Sequence, residues 1–265
     1  MNDFDDVNDA APASLKEILV VQPAKIATCE KHGDYESRNI ISKIWSGCPT
    51  CSVEQKIVAE KEQAEAVEIE RQRIWKIRMG EAGIPERFRN RTLASYKATN
   101  AGQKRALAFA TEYAEQFERV SETGRSAIFC GLPGTGKTHL AIGIALYIMT
   151  QRKAAAFTTV QRMIRRIKDA WRKDSTESES DVIEMLVYPE LLIIDEIGVQ
   201  FGSEFEKNFM FDLLNERYEK RRPTVLLSNL TVPEIKAFLG DRIYDRLRED
   251  GGQCVSFDWA SHRGQ

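Results

Sequence analysis

The chain has 265 residues, 42% hydrophobic and 29% charged, with a formal net charge of −2. That is an ordinary composition for a globular protein with a core, and a charge so near neutral excludes a global attraction to nucleic acid, leaving any such binding to a local basic surface. No run reaches the roughly 18 uncharged apolar residues that span a bilayer, and the Asp- and Asn-rich N-terminus lacks the basic-then-apolar layout of a secretory signal, so a cytoplasmic chain without a membrane partner is expected.

Residues 1–25 carry Asp3, Asp5, Asp6 and Asp9 with few large apolar groups and read as a flexible acidic tail, with a short helix possible over Leu15 to Val21. Residues 26–52 hold Cys29-x-x-His32 and Cys48-x-x-Cys51. Each two-residue spacing turns both members of a pair onto one metal, so a Cys3His zinc site is expected, supplying folding energy that a segment of about 27 residues cannot draw from its own core. The other two of the five cysteines, Cys130 and Cys254, fall in apolar strand-like runs and read as core thiols. From Ser52 to Met79 there is no Gly or Pro, and Glu, Lys, Arg, Gln and Ala dominate around a sparse stripe of Ile57, Val58, Val67, Ile74 and Ile77. This predicts a long helix, either solvated or docking a protein partner, as a linker over 53–82. Gly80, Gly83 and Pro85 end it and open a second domain over 83–265.

That domain alternates helices and strands: a helix at 101–121, strands at 126–130, 154–158, 190–194, 224–228 and 253–258, and helices at 137–150, 160–172 and 204–220. The pattern predicts a parallel sheet with helices on both faces. Between the first strand and its helix stands G-L-P-G-T-G-K-T, residues 131–138. Its glycines let backbone N–H groups and a helix N-terminus face phosphate, so Gly131, Pro133, Gly134, Thr135, Gly136, Lys137, Thr138 and the adjacent His139 form the expected nucleoside-triphosphate site. Lys137 should reach the terminal phosphates and Thr138 the magnesium. The strand Leu191 to Ile194 ends in Asp195 and Glu196, a Walker B pattern in which Asp195 holds magnesium through water and Glu196 polarises the attacking water. Asn229, after the strand Thr224 to Ser228, either orients that water or is a turn residue. Arg162, Arg165, Arg166, Lys168, Arg172 and Lys173 crowd one helix beside Trp171, which suits a sequence-tolerant single-strand groove but also a solvated basic face with the tryptophan packed inward. Asp174 to Asp181 reads as a polar acidic loop without a core role.

The order of phosphate loop, D-E strand and Asn-tipped strand resembles an AAA+ ATPase, in which that Asn is sensor 1. G-I-P-E-R-F (83–88), D-E-I-G-V-Q (195–200), R-R-P-T (221–224), G-D-R-I-Y-D-R-L (240–247) and F-D-W (257–259) look like the bacterial replicative helicase loaders of the DnaC type. The similarity covers about residues 70–263, with the DnaI loaders and the ATPase subunit of certain insertion-sequence transposases near it. The resemblance implies an α/β fold: an AAA+ P-loop core with a five-stranded parallel sheet between helices and no full C-terminal lid, preceded by a small zinc-binding module and a long helix. It implies an ATPase, using ATP, Mg2+ and Zn2+, that self-associates and escorts the hexameric DnaB-type helicase onto single-stranded DNA. The alternative it carries is a transposition-regulating ATPase that binds duplex DNA and recruits a transposase. Arg246 in D-R-L matches the family's arginine finger, so Lys137, Asp195, Glu196, Asn229 and Arg246 form the expected catalytic set, with Arg242 one turn away. The DNA-contacting positions expected by resemblance and local charge are Arg165, Arg166, Trp171, Arg172, Ser203 and Phe205. One departure stands out: the best-known DnaC-type loaders lack the cysteine and histidine pairs, whereas DnaI-type and some phage relatives carry a zinc-bearing N-terminal domain.

Overall fold

The computed structural model describes residues 23–41, 44–79, 83–198 and 204–262; the acidic tail up to Gln22, Gly80, and Ser203 lie outside the described residues. The chain forms two compact units, residues 1–71 and 72–265.

Apolar runs that bury four successive residues become four strands of the larger unit: β5 (Ala127–Gly131), β6 (Ala155–Thr159), β7 (Leu191–Ile197) and β8 (Thr224–Ser228), with β6 at one edge of the sheet. Burial on both faces requires helices on both sides, which is why these strands read as continuous apolar runs. β9 (Gln253–Phe257) closes one edge and is partly exposed. The order is β6-β7-β8-β5-β9, parallel throughout. All five expected strands are present, the one at 224–228 with its expected bounds and the others with bounds shifted by at most three residues. Because the strands point one way, Gly131, Asp195 and the residue after Ser228 emerge on a single edge, where open α/β sheets bind ligands.

Helices α2 (Ala101–Glu115), α3 (Phe117–Thr123), α4 (Lys137–Thr150), α5 (Val160–Ala170), α6 (Glu179–Val187), α7 (Glu204–Glu219) and α8 (Val232–Arg248) cover the sheet. Local chemistry sets several starts: Asn100 with Gln103, Ser178 with Asp181, and Thr231 with Glu234 form reciprocal caps. Two expectations need correction. The helix expected over 101–121 breaks at Gln116, and Tyr113, Phe117 and Val120 on either side of the break are all buried. The acidic stretch 174–181 is not wholly loop, because Ser178 caps α6, whose Val182, Met185 and Leu186 enter the core.

Arg217 of α7 is fully buried. Its Nη1 faces the carbonyls of Leu186 (2.9 Å), Val187 (3.0 Å) and Pro189 (3.0 Å), Nη2 donates to Pro223 (2.7 Å) and Nε to Thr224 Oγ1 (2.9 Å). The guanidinium thus satisfies the orphan carbonyls at the C-terminus of α6, where positive charge is favoured. Burial pushes its pKa down to about 9, which leaves it charged at neutral pH.

In the smaller unit two short hairpins, β1–β2 (Lys25–Cys29, Gly33–Ser37) and β3–β4 (Asn39–Ile41, Ile44–Trp45), precede α1 (Pro49–Met79). α1 starts three residues before the expected Ser52, with Pro49 in the first turn, where its missing N–H costs nothing. Residues 55–70 are all exposed, Ile57, Val58 and Val67 included. Among the described residues no helix is long and apolar enough to cross a membrane.

Candidate functional site

Gly131, Gly134 and Gly136 all adopt positive φ (118°, 75° and 99°). At Gly136 a Cβ would lie 2.7 Å from the Tyr96 ring, so the loop's curvature and its close packing both exclude a side chain there. Lys137 is buried, and its Nζ donates to the Gly131 and Leu132 carbonyls at 2.7 Å, holding a positive charge inside the loop. Thr135 is buried beneath the loop, with its hydroxyl donating to Leu132 O (2.7 Å), while Pro133 is exposed on the rim. Thr138 Oγ1 lies 3.0 Å from Asp195 Oδ2, so the two expected magnesium groups, 57 residues apart, share one point at the sheet edge. Together with a loop that admits phosphate, this donor set fits a magnesium nucleotide.

The D-E pair sits on a bulge. Between the pairs Ile194↔Leu226 and Ile197↔Ser228, β7 has one residue more than β8. Glu196 occupies it with φ 66°, a left-handed conformation that a non-glycine residue adopts at a cost, and its N–H donates to Asp195 Oδ1 (2.7 Å). The bulge turns Glu196 out of the pleat into solvent while Asp195 stays beside Thr138. Asn229 is exposed at the end of β8, the strand between β5 and β7. Its turn is tied to both neighbours: Leu230 O accepts from Gly131 N–H (3.0 Å), and Ser228 Oγ donates to Ile197 O (2.6 Å).

Segments remote in sequence hold the loop from below, and sequence reasoning missed them. Thr135 O accepts from Trp259 Nε1 (2.9 Å) and Tyr96 Oη (3.3 Å), and Gly134 O from His262 N–H (2.9 Å). Gln103, the capping residue of α2, meets His262 Nε2 at 2.8 Å. These bonds turn the loop carbonyls inward, which leaves the opposite faces of those peptides for an anion. The F-D-W segment was visible in sequence, though not as a loop support. Trp259→Phe keeps the ring and removes the donor. It is expected to weaken ATP binding about five- to tenfold and cost about 1 kcal/mol of stability, read by nucleotide titration and melting. Unchanged ATP affinity would remove the support role. The His139 ring nitrogen faces Thr92 O (2.9 Å) and Ser95 Oγ (3.1 Å), fastening α4 to the preceding segment. Burial holds its pKa below 6.5, so its stabilising effect is complete above about pH 6.5 and declines as pH falls.

In the smaller unit Cys29, His32, Cys48 and Cys51 converge, their ligand atoms all within 4.8 Å of one another. His32 Nδ1 lies 3.3, 3.7 and 3.8 Å from the sulfurs of Cys51, Cys48 and Cys29. Ligands of a tetrahedral zinc bound at about 2.0–2.3 Å stand roughly 3.5–3.8 Å apart, so the cluster fits the ion. Cys29 beside it pushes the Cys51 thiol pKa up to about 11, a conflict among crowded sulfurs that a dication reverses. The far nitrogen of His32 meets Glu54 Oε1 at 3.2 Å, and the other oxygen of Glu54 meets Lys31 at 2.5 Å. Such a carboxylate fixes which nitrogen faces the metal. Glu54→Gln is therefore expected to weaken zinc affinity about tenfold, measured by chelator competition on the whole chain; a change under twofold would refute it.

The expected DNA residues are partly gathered. Trp171 is 51% exposed, not packed inward, with its ring edge-on to Phe205 at 4.7 Å. Arg172, next to it in sequence, and Arg165, six residues before it, are exposed, and Arg166 is half-buried. Ser203 lies outside the described residues. Arg246 is half-buried on α8, its Nη1 2.5 Å from Asn215 Oδ1 and its guanidinium 4.8 Å from the Tyr218 ring centre; Arg242 is exposed.

A phosphate loop and a D-E strand on one edge of a parallel sheet, with an Asn-tipped strand between them, define a P-loop ATP-binding protein of the AAA+ class. A family model described as IstB-like ATP binding protein matches residues 59–250. The chain is 36% identical over 185 residues to the replicative helicase loader DnaC of Buchnera aphidicola subsp. Schizaphis graminum, a match spanning 70% of this chain and 74% of that one. It is 35% identical over 184 residues to DnaC of Escherichia coli K12, spanning 69% and 74%. A crystal structure of the DnaC helicase loader shares the fold with a TM-score of 0.58 at 21% identity, covering 66% of this chain and all of that one. A DnaI structure gives 0.56 at 19%, covering 68% and 94%. The chain belongs to the IstB-like ATP-binding family and is of the DnaC helicase-loader type. The family match begins at residue 59, so the cysteine and histidine cluster lies outside it.

Proposed function

We propose that this protein is an ATP-hydrolysing, cytoplasmic helicase loader that places a DnaB-type hexameric replicative helicase on single-stranded DNA. The observation that supports it most is the joining of Thr138 to Asp195 at the mouth of a fully formed phosphate loop, in a chain of the DnaC type. Lys137 and the loop N–H groups bind the triphosphate, Thr138 and Asp195 hold Mg2+, and Glu196 on its bulge orients water toward the terminal phosphate. Asn229 reports the presence of that phosphate, and Arg246 completes the site of a neighbouring copy. Magnesium supplies charge neutralisation at the phosphates when bound. Residues 83–265 act as the ATPase, and residues 26–52 with the helix over 53–82 grip the helicase. Cys29, His32, Cys48 and Cys51 hold zinc and so fix the shape of that gripping module.

The test is the mass in solution of the chain mixed with its host's replicative helicase, in ATP and then with single-stranded DNA. A complex heavier than the helicase hexamer is the expected result. No complex, with ATP-dependent binding to duplex DNA instead, would replace the loader reading with a transposase-recruiting ATPase.

A further inference from the structure

The acidic stretch after the basic helix has no place in the ATPase site, yet its carboxylates lie on the groups expected to meet DNA. Glu177 takes the Arg166 guanidinium with both oxygens, at 2.7 Å from Nε and 2.8 Å from Nη2. Glu179 accepts the Trp171 indole N–H at 2.7 Å, and Asp174 stands 3.5 Å from Arg172 Nε. Lys168 is taken as well, by Glu206 of α7 at 2.7 Å. A carboxylate on a guanidinium fork presents the two-oxygen geometry that a phosphate presents. The stretch is also preset to do so. Ser175 Oγ donates to Glu177 O (2.8 Å) and accepts from Glu177 N–H (3.2 Å), while Ser178 and Asp181 cap α6, so Glu177 and Glu179 are held at a turn between two helices.

We infer that residues 174–179 are a built-in competitor for single-stranded DNA, an acidic strap that occupies the α5 face and must be displaced before phosphates bind there. The inference rests on the proposal that this face binds DNA. The side chains of Asp174 to Glu179 are polar, so ion pairs and hydrogen bonds are what set the strap's carboxylates on Arg166, Trp171 and Arg172, while α6 anchors its C-terminal end in the core. Such contacts, partly exposed and screened by salt, yield to a strand carrying many phosphates. Arg165 and Lys173 are exposed and take part in none of the strap's contacts, so they offer an incoming strand its first foothold. The strap thus favours long polyanions over single nucleotides or isolated anions, which cannot replace several contacts at once.

The experiment measures binding of a fluorescent oligothymidine to the full chain with ATP, across a salt series, for the unaltered protein, Glu177→Gln/Glu179→Gln, and Arg165→Glu. The double variant is expected to bind at least fivefold tighter, and its affinity is expected to fall more steeply with salt, the log–log slope growing by about 0.7 for each cation that now releases a counterion on binding. Unchanged melting temperature and ATP affinity show that the fold is kept. Equal or weaker binding by the double variant, while Arg165→Glu still loses affinity, would overturn the strap and leave DNA binding on α5 intact. An Arg165→Glu variant that binds as well as the unaltered protein would overturn the DNA reading of this face, and the strap with it.

Discussion

Replacing Arg246 with alanine is expected to lower ATP turnover of the assembled protein about 10^3- to 10^5-fold while leaving ATP affinity within a few-fold. The asymmetry follows from the proposed role: a guanidinium supplied from a neighbour meets charge that develops on the transferring phosphoryl group, not the ground-state nucleotide. In the single chain Arg246 is held by the Asn215 side-chain oxygen and the Tyr218 ring, which limits its rotamers before a neighbour arrives. Arg246→Lys should fare little better, because an ammonium can neither present a planar fork nor stack on Tyr218 in the same way. Action in trans makes a second requirement. Chains with Arg246→Ala retain intact loops, and chains with Lys137→Ala retain intact fingers, so mixing the two inactive proteins should restore part of the turnover. Absence of rescue, or a loss of melting temperature and ATP affinity matching the loss of turnover, would make Arg246 a staple between α7 and α8 instead.

The second large effect is on stability. Arg217→Met removes a buried guanidinium but keeps its approximate volume, stranding the carbonyls of Leu186, Val187 and Pro189 around an apolar chain and leaving Pro223 O only its bond from Leu192 N–H. Breaking a buried charged network of this kind costs about 3–5 kcal/mol. At about 2–4 °C per kcal/mol for a unit of this size, the melting temperature should fall by roughly 10 °C. Lysine is no substitute, since one ammonium cannot reach a helix end and the Pro223–Thr224 turn together. A melting temperature within two degrees of the unaltered protein would show that the network is replaceable by packing.

The cost of losing Arg217 illustrates what the sequence could not display. Its neighbours in the chain, Asn215 to Glu219, read as an ordinary polar helix end; only the packing of α7 against the end of α6 makes its charge indispensable. The same holds for Glu54, one acid among many on a long helix until the hairpins bring His32 to it. The acidic stretch 174–181 was legible as composition, but its partners depended on how α5 and α6 meet.

By itself the sequence determined the features that arise from neighbours along the chain. The glycine spacing of residues 131–138 sets the loop, apolar runs set the four buried strands, two-residue spacings set the cysteine and histidine pairs, and the likeness to helicase loaders follows from short motifs. These are local because a turn, a strand or a chelating pair is specified by residues within a few positions of one another. The tertiary structure alone decided the bulge that turns Glu196 outward, the closing of Thr138 on Asp195, and the support of Thr135 by Tyr96 and Trp259. Each joins segments dozens of residues apart, and such contacts are chosen by the burial of a whole core, which no local pattern encodes.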